Sequence, residues 1–319
     1  MQQQPILPPR LGPGARIALV APSGPLLERD DRTRAESLCR ALGFEPVVLP
    51  HAERAYGYLA GTDEERLADL NAALTSPQYD AVWCLRGGDG MNRIVAGVDF
   101  AGFARAPKPV IGFSDITVLL LALWRETGVV SFHGPVAREP MPGLARRSFE
   151  AVLTRATPAG ALELPAPPAD VLLPQEGRVV TLASGRAEGR LVGGNLTLLQ
   201  SLIGTRFAAD LRGAILFLED VNEDLYRIDR MLAHLRLAGV LDGVAGVAIG
   251  QFTDCRRATP DGGLGLDAVL STYFASLGVP VVMGLPIGHI AAQWTIPVGV
   301  RASLDADSGA LALLEAAVR

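Results

Sequence analysis

Through the first half of the chain, short apolar runs alternate with segments of helical period. Residues 16–21 (RIALVA) end at Pro22-Ser23-Gly24-Pro25, which predicts a buried first strand opening into a loop. In residues 29–42, Ala35, Leu38, Cys39 and Leu42 recur at helical spacing and Gly43 is the stop. Residues 46–49 predict a second strand. Thr62-Asp63-Glu64-Glu65 predicts a capping box, and Leu67, Leu70 and Leu74 continue it as an amphipathic helix. Residues 81–85 (AVWCL) predict a third strand running into the glycine-rich Arg86-Gly87-Gly88-Asp89-Gly90, with a helical stretch from near Asn92. The run 109–113 meets the polar pair Ser114-Asp115, and from Ile116 to Trp124 the chain is apolar on every side, as a buried helix requires. Residues 129–132 predict a fifth strand, which exits through His133-Gly134-Pro135.

Strands and helices alternating at this spacing imply βαβ units and a mostly parallel sheet covered on both faces. Ligands bind such sheets at the carboxyl ends of the strands, so Gly24, the Gly87-Gly88 loop, Ser114 and His133 belong on one rim. Residues 157–177 are rich in Pro and Ala without periodicity and predict a linker between domains at 1–156 and 178–319. Beyond it, Arg190-Leu191-Val192-Gly193-Gly194-Asn195 leads into an apolar helix-like stretch to Leu202, and residues 214–218 form a strand-like run ending at Glu219-Asp220. Tyr226, Ile228, Met231, Leu232 and Leu235 mark a helix. Residues 244–249 and 281–283 are strand-like, the latter leading into Gly288-His289. Residues 295–304 and 310–318 predict a hairpin about the turn 305–309.

Composition narrows the class. A chain of 319 residues exceeds one usual core, which predicts two domains. A net charge of −5, without a basic run, gives no reason to expect nucleic acid or an anionic membrane as partner. Three scattered cysteines, Cys39, Cys84 and Cys255, indicate neither a disulfide framework nor a paired metal site, and fit a reducing compartment. The N-terminal residues lack a long apolar signal core, and the apolar segment near 119–124 is too short to span a bilayer, which predicts a soluble cytoplasmic protein. No metal or cofactor motif occurs.

Three polar residues stand at or just beyond apolar strand ends: Ser114, Glu219 and His289. A serine hydroxyl needs a base to take its proton during attack, and a carboxylate on the far ring nitrogen fixes the base's tautomer. The order Ser, acid, His is that of α/β-hydrolases, but Ile116 stands where the second glycine of G-x-S-x-G belongs. Glycines at 87 and 88 let the Gly88 N–H approach a substrate oxygen, and with the Asp115 N–H at a helix start it can complete an oxyanion hole. Each residue has a plainer reading. Ser114 or Asp115 caps a helix, His289 is a turn histidine, and Glu219 pairs with Arg227 or Arg230. His133 is a rival base or a structural histidine, His234 reads as structural, His51 has no identifiable partner, and Cys84 reads as packing. A non-catalytic protein holding a peptide or sugar between two domains is the alternative class.

Taken in order, Ala21-Pro22-Ser23-Gly24, Arg86-Gly87-Gly88, Gly112-Phe113-Ser114-Asp115, Phe132-His133-Gly134-Pro135, Gly193-Gly194-Asn195, Glu219-Asp220 and Gly288-His289 resemble the LD-carboxypeptidases, peptidase family S66. The resemblance runs from Arg16 to Gly299. It implies a flavodoxin- or glutaminase-like α/β domain followed by a β-rich domain, with the site between them, and a homodimer. It implies Ser114, Glu219 and His289 as catalytic triad and the Gly88 and Asp115 backbone as oxyanion hole. It implies release of terminal D-Ala from the cytoplasmic murein tetrapeptide during peptidoglycan recycling, without a cofactor. A related branch cleaves peptidyl-nucleotide antibiotics of the microcin C type. An enzyme of this kind must hold a free carboxylate, for which Arg86 and Arg230 are candidates, each equally readable as a surface ion pair. Asp89 stands where many members have an aromatic residue, which bears on substrate preference.

Overall fold

The computed structural model describes residues 4–166, 178–255 and 264–319. The first part runs β1 (Arg16–Val20), α1 (Asp31–Ala41), β2 (Glu45–Val48), α2 (Asp63–Thr75), β3 (Ala81–Cys84), α3 (Met91–Ile94), α4 (Phe100–Arg105), β4 (Val110–Gly112), α5 (Thr117–Thr127), β5 (Ser131–His133) and α6 (Gly143–Leu153). The second runs β6 (Gly160–Ala161), β7 (Val180–Ala183), β8 (Arg186–Asn195), α7 (Leu196–Ser201), β9 (Ala214–Val221), α8 (Leu225–Leu237), β10 (Gly246–Thr253), α9 (Leu266–Phe274), β11 (Val281–Met283), β12 (Ile296–Val298), β13 (Arg301–Asp305) and β14 (Ala310–Leu313).

Strands β1 to β5 are parallel in the order β5-β4-β3-β1-β2, the flavodoxin order, whose switch point falls between β1 and β3. The eight-stranded second sheet has a parallel centre, β8-β9-β10-β11, flanked by antiparallel strands. This is the expected α/β class with a β-rich second half. The predicted capping box at Thr62 is present, with Glu65 N–H donating to Thr62 Oγ1 and Glu65 Oε2 accepting from Thr62 N–H. Helix α5 is the element both sheets share. Every residue from Thr117 to Trp124 is buried, because the helix packs on β5 and β12 on one side and on β8 and α7 on the other.

The main departure is at 295–304, predicted as one strand of a hairpin. The run breaks after Val298: β12 joins the first sheet antiparallel to β5, while β13 turns back to pair with β8 and β14. Gly299, at φ +96° and packed on the Trp124 ring, makes the crossing between sheets. Periodicity along a strand cannot report that its two halves join different sheets. Within the predicted linker, Gly160–Ala161 pairs with β14, and 167–177 lies outside the described residues. The helix expected from Asn92 is two short pieces, α3 and α4.

Candidate active site

The corner at Ser114 is strained. Ser114 has φ 63°, a left-handed conformation that a residue with a Cβ adopts at a cost of order 1 kcal/mol or more, and one-turn helix Ser114–Ile116 leads from it into α5. Gly87 lies against the same residue: a Cβ built on it would stand 2.8 Å from Ser114 Cβ and 3.0 Å from Oγ. Only glycine lets the loop after β3 reach the hydroxyl. Among the described residues, neither the Gly88 nor the Asp115 N–H donates to a protein acceptor. Asp115 ties the two segments together, its Oδ2 accepting the Met91 N–H at 2.8 Å. Burial pushes the Asp115 carboxyl up to about 6, against the lowering effect of its hydrogen bonds. From α2, the buried Arg66 donates to Pro22 O and Gly90 O, bracing the loops after β1 and β3 beneath the same corner.

Glu219, near the end of β9, is fully buried, and His289 follows β11. His289 Nδ1 lies 2.8 Å from Glu219 Oε2; an ionised carboxylate only accepts, so Nδ1 carries the proton and Nε2 is left with its lone pair. Gly288, at φ +113°, makes room for the pair, since a Cβ there would stand 2.8 Å from the Glu219 side chain. Burial lowers the basicity of His289, but the hydrogen bond and charge of Glu219 outweigh it and leave the pKa above the ordinary value. Burial raises that of Glu219.

Two contacts bring this pair to the serine. The Asn195 N–H, opposite Glu219 in the sheet, donates to Thr117 Oγ1 at the start of α5. The Phe113 ring meets the His289 ring at 4.7 Å between centroids, placing the preceding neighbour of Ser114 against the imidazole. No hydrogen bond joins Ser114 to His289 among the described residues, and such bonds commonly tighten only when substrate is bound. A cavity of about 410 Å³, lined in part by Gln251, Thr253, Asp254 and Pro286, opens beside His289.

The remaining candidates separate. Buried His133 is stacked edge-on between Phe113 and Phe217, and burial drops its pKa to about 3, so it stays neutral among apolar neighbours. His234 contacts Gln200 and His51 contacts Asp69. Cys84 is buried in β3. Arg227 lies 3.7 Å from Glu223, and Glu219 has His289 as its partner instead of an arginine. Arg230 is exposed on α8 over the Tyr226 ring, and the structure does not bring it to Ser114 or His289. Arg86, half-buried, donates to Pro25 O beside the Gly87-Gly88 loop, and Asp89 is exposed. Sequence reasoning did not single out Thr117, Arg138 or Glu139. Their only sequence signal is position next to the Ser114 and His133 motifs.

The sequence model of the LD-carboxypeptidase N-terminal domain matches residues 17–134, and that of the C-terminal domain matches 188–304. The chain belongs to the LD-carboxypeptidase family. The two matched segments carry Ser114 and the Glu219–His289 pair respectively. Among LD-carboxypeptidase relatives, a putative carboxypeptidase of Streptomyces coelicolor is 41% identical, covering 97% of this chain and 96% of its own. The murein tetrapeptide carboxypeptidase of Pseudomonas aeruginosa is 36% identical over 91% of this chain and 93% of its own. Among solved structures, MccF, a microcin C7 self-immunity protein, in complex with glutamyl sulfamoyl guanosine superposes with a TM-score of 0.87 at 26% identity, covering 99% of this chain and all of that one.

Proposed function

We propose that the protein is a cytoplasmic serine-type LD-carboxypeptidase that releases the terminal D-Ala of the murein tetrapeptide, L-Ala-γ-D-Glu-meso-diaminopimelate-D-Ala, in peptidoglycan recycling. The observation that carries this is the pair of buried Glu219 and half-buried His289 set against Phe113, adjoining the strained Ser114. Ser114 Oγ attacks the carbonyl before D-Ala while His289 Nε2 takes its proton; Glu219 holds the tautomer and stabilises the imidazolium. The oxyanion faces the unpaired N–H groups of Gly88 and Asp115, each such donor contributing about 2.7–4 kcal/mol in comparable sites. His289 then protonates the leaving D-Ala nitrogen, and water hydrolyses the acyl-enzyme by the same relay. The scheme uses no metal or cofactor. We take the chain to divide into domains near the 157–177 stretch and to act as a homodimer.

The test is D-Ala release from the free tetrapeptide, with and without EDTA, by the wild type and by Ser114→Ala. Release that survives EDTA and falls by at least about 10⁴-fold in the variant is expected; wild-type turnover by folded Ser114→Ala would refute the assignment. The backbone likeness to MccF supports a second reading, cleavage of a peptidyl nucleotide. Identity to the murein enzyme of Pseudomonas aeruginosa is higher, 36% against 26%, and backbone similarity does not set substrate. Turnover of a peptidyl nucleotide in place of the tetrapeptide would reverse the choice.

A further inference from the structure

Two arginines flank the switch point of the first sheet with most of their donors unused. Arg86, just after β3, gives one hydrogen bond, from Nη1 to Pro25 O at 2.6 Å. Arg138, five residues beyond β5, gives none among the described residues, and its Nε is buried without a partner. Its nearest charges are Asp31 Oδ1 at 3.5 Å and Glu139 Oε1 at 4.0 Å. Asp31 is already committed: its carboxylate accepts the Leu27 and Glu28 N–H groups and Arg34 Nη2. Ala137 N–H donates to Cys84 O at 2.9 Å, so the segments that carry Arg138 and Arg86 run side by side; burial, then the positive charge of Arg138, lowers the pKa of Arg86. Asp31 and Glu139 offset part of this charge, but most of the guanidinium donors stay unused and can take a bound anion.

Their position suits one anion in particular. A Cβ built on Gly24 would stand 3.1 Å from Arg86 Nη1 and 3.4 Å from Gly88 Cα, so the guanidinium tip and the oxyanion-loop backbone flank the same glycine. On the other side, Glu139, beside Arg138, lies close enough to influence His289 electrostatically. We infer that Arg86 and Arg138 together form the subsite for the free terminal carboxylate of the peptide substrate. That carboxylate lies one residue, about 3.8 Å, beyond the scissile carbonyl, so a carboxypeptidase needs its anion site this near the nucleophile. A forked guanidinium pair reads a carboxylate and rejects a continuing amide, which would make the enzyme an exopeptidase. The inference rests on the carboxypeptidase reading above, and Arg230 has no part in it.

The experiment is equilibrium binding of the tetrapeptide acid and of its C-terminal amide to full-length Ser114→Ala, alone and combined with Arg138→Gln, Arg138→Lys or Arg86→Gln. The parent should prefer the acid by roughly 30-fold. Arg138→Gln should bring the ratio near one, and Arg138→Lys should restore part of it, keeping the charge without the fork. Arg138→Gln loses no hydrogen bond of the fold, so it is the decisive variant; Arg86→Gln also releases Pro25. An unchanged ratio in folded Arg138→Gln overturns the subsite, as does a parent that binds neither form or shows no preference. Wild-type D-Ala release is read separately. Release without acid preference sinks the subsite and keeps the reaction, whereas acid preference without release does the opposite.

Discussion

Two histidine–carboxylate pairs in this chain have the same length and different surroundings. His51 Nδ1 lies 2.8 Å from Asp69 Oδ1, and His289 Nδ1 lies 2.8 Å from Glu219 Oε2. The other oxygen of Asp69 accepts the backbone N–H of His51 at 2.8 Å, so that carboxylate fixes the turn after β2, and the ring is about one-third exposed (32%). The other oxygen of Glu219 has no partner among the described residues, its carboxyl is wholly buried, and its imidazole meets Phe113 beside Ser114. A short bond therefore does not by itself single out the proposed catalytic pair. What separates the two is mainly the third group beside the imidazole, since both carboxylates are buried and both rings are partly exposed, 32% for His51 and 21% for His289.

The comparison is broken most directly at Glu219. Glu219→Gln should lower kcat by about 10³–10⁴-fold, because the amide no longer supports the imidazolium or holds its tautomer. The pH profile of kcat/KM sharpens the point. His289 must be deprotonated to act as base, and its raised pKa puts the acid limb of the wild type above the ordinary imidazole value of 6.5. In Glu219→Gln the raising contribution is gone and burial remains, so the limb should move to lower pH. A limb that does not move would mean that another group titrates.

A smaller effect is expected at the brace behind the serine. Asp115→Leu removes the acceptor of the Met91 N–H and loosens the Gly88 loop against Ser114, for a fall in kcat of about 10-fold with KM little changed. Asp115→Asn keeps an acceptor and should recover most of that loss. Equal losses in both variants would assign the effect to charge. The smallest effect belongs to the second pair. His51→Ala should leave kcat/KM within about twofold and lower Tm by about 2 °C, the scale of one partly exposed hydrogen bond in a chain of this size. Loss of activity in that variant would erase the distinction between the pairs.

Local chemistry was legible residue by residue. The apolar runs gave β1 to β4 within one or two residues, the capping box at Thr62 was written in its four residues, and the all-apolar segment after Ile116 became the buried α5. Ser114, Glu219 and His289 were readable as strand-end polar residues in matched motifs. The hairpin at 295–318 was half right, because the alternation that predicts strands is indifferent to the sheet they join. His51 had a partner that sequence could not name, since Asp69 sits 18 residues away on α2.

By itself, then, the sequence determined many of the elements, though not α6, β8 or α9, together with the class of fold and the family, because propensity, capping and short motifs act over a few residues. Tertiary structure alone decided which histidine meets which carboxylate, that His133 is neutral packing, that Arg230 lies exposed over the Tyr226 ring and that Arg138 Nε is buried without a partner among the described residues. Those outcomes depend on burial and on distances between segments as far as 175 residues apart, from Ser114 to His289. Desolvation and charge pairing are properties of the packed space between two sheets, and no local window of the chain contains that space.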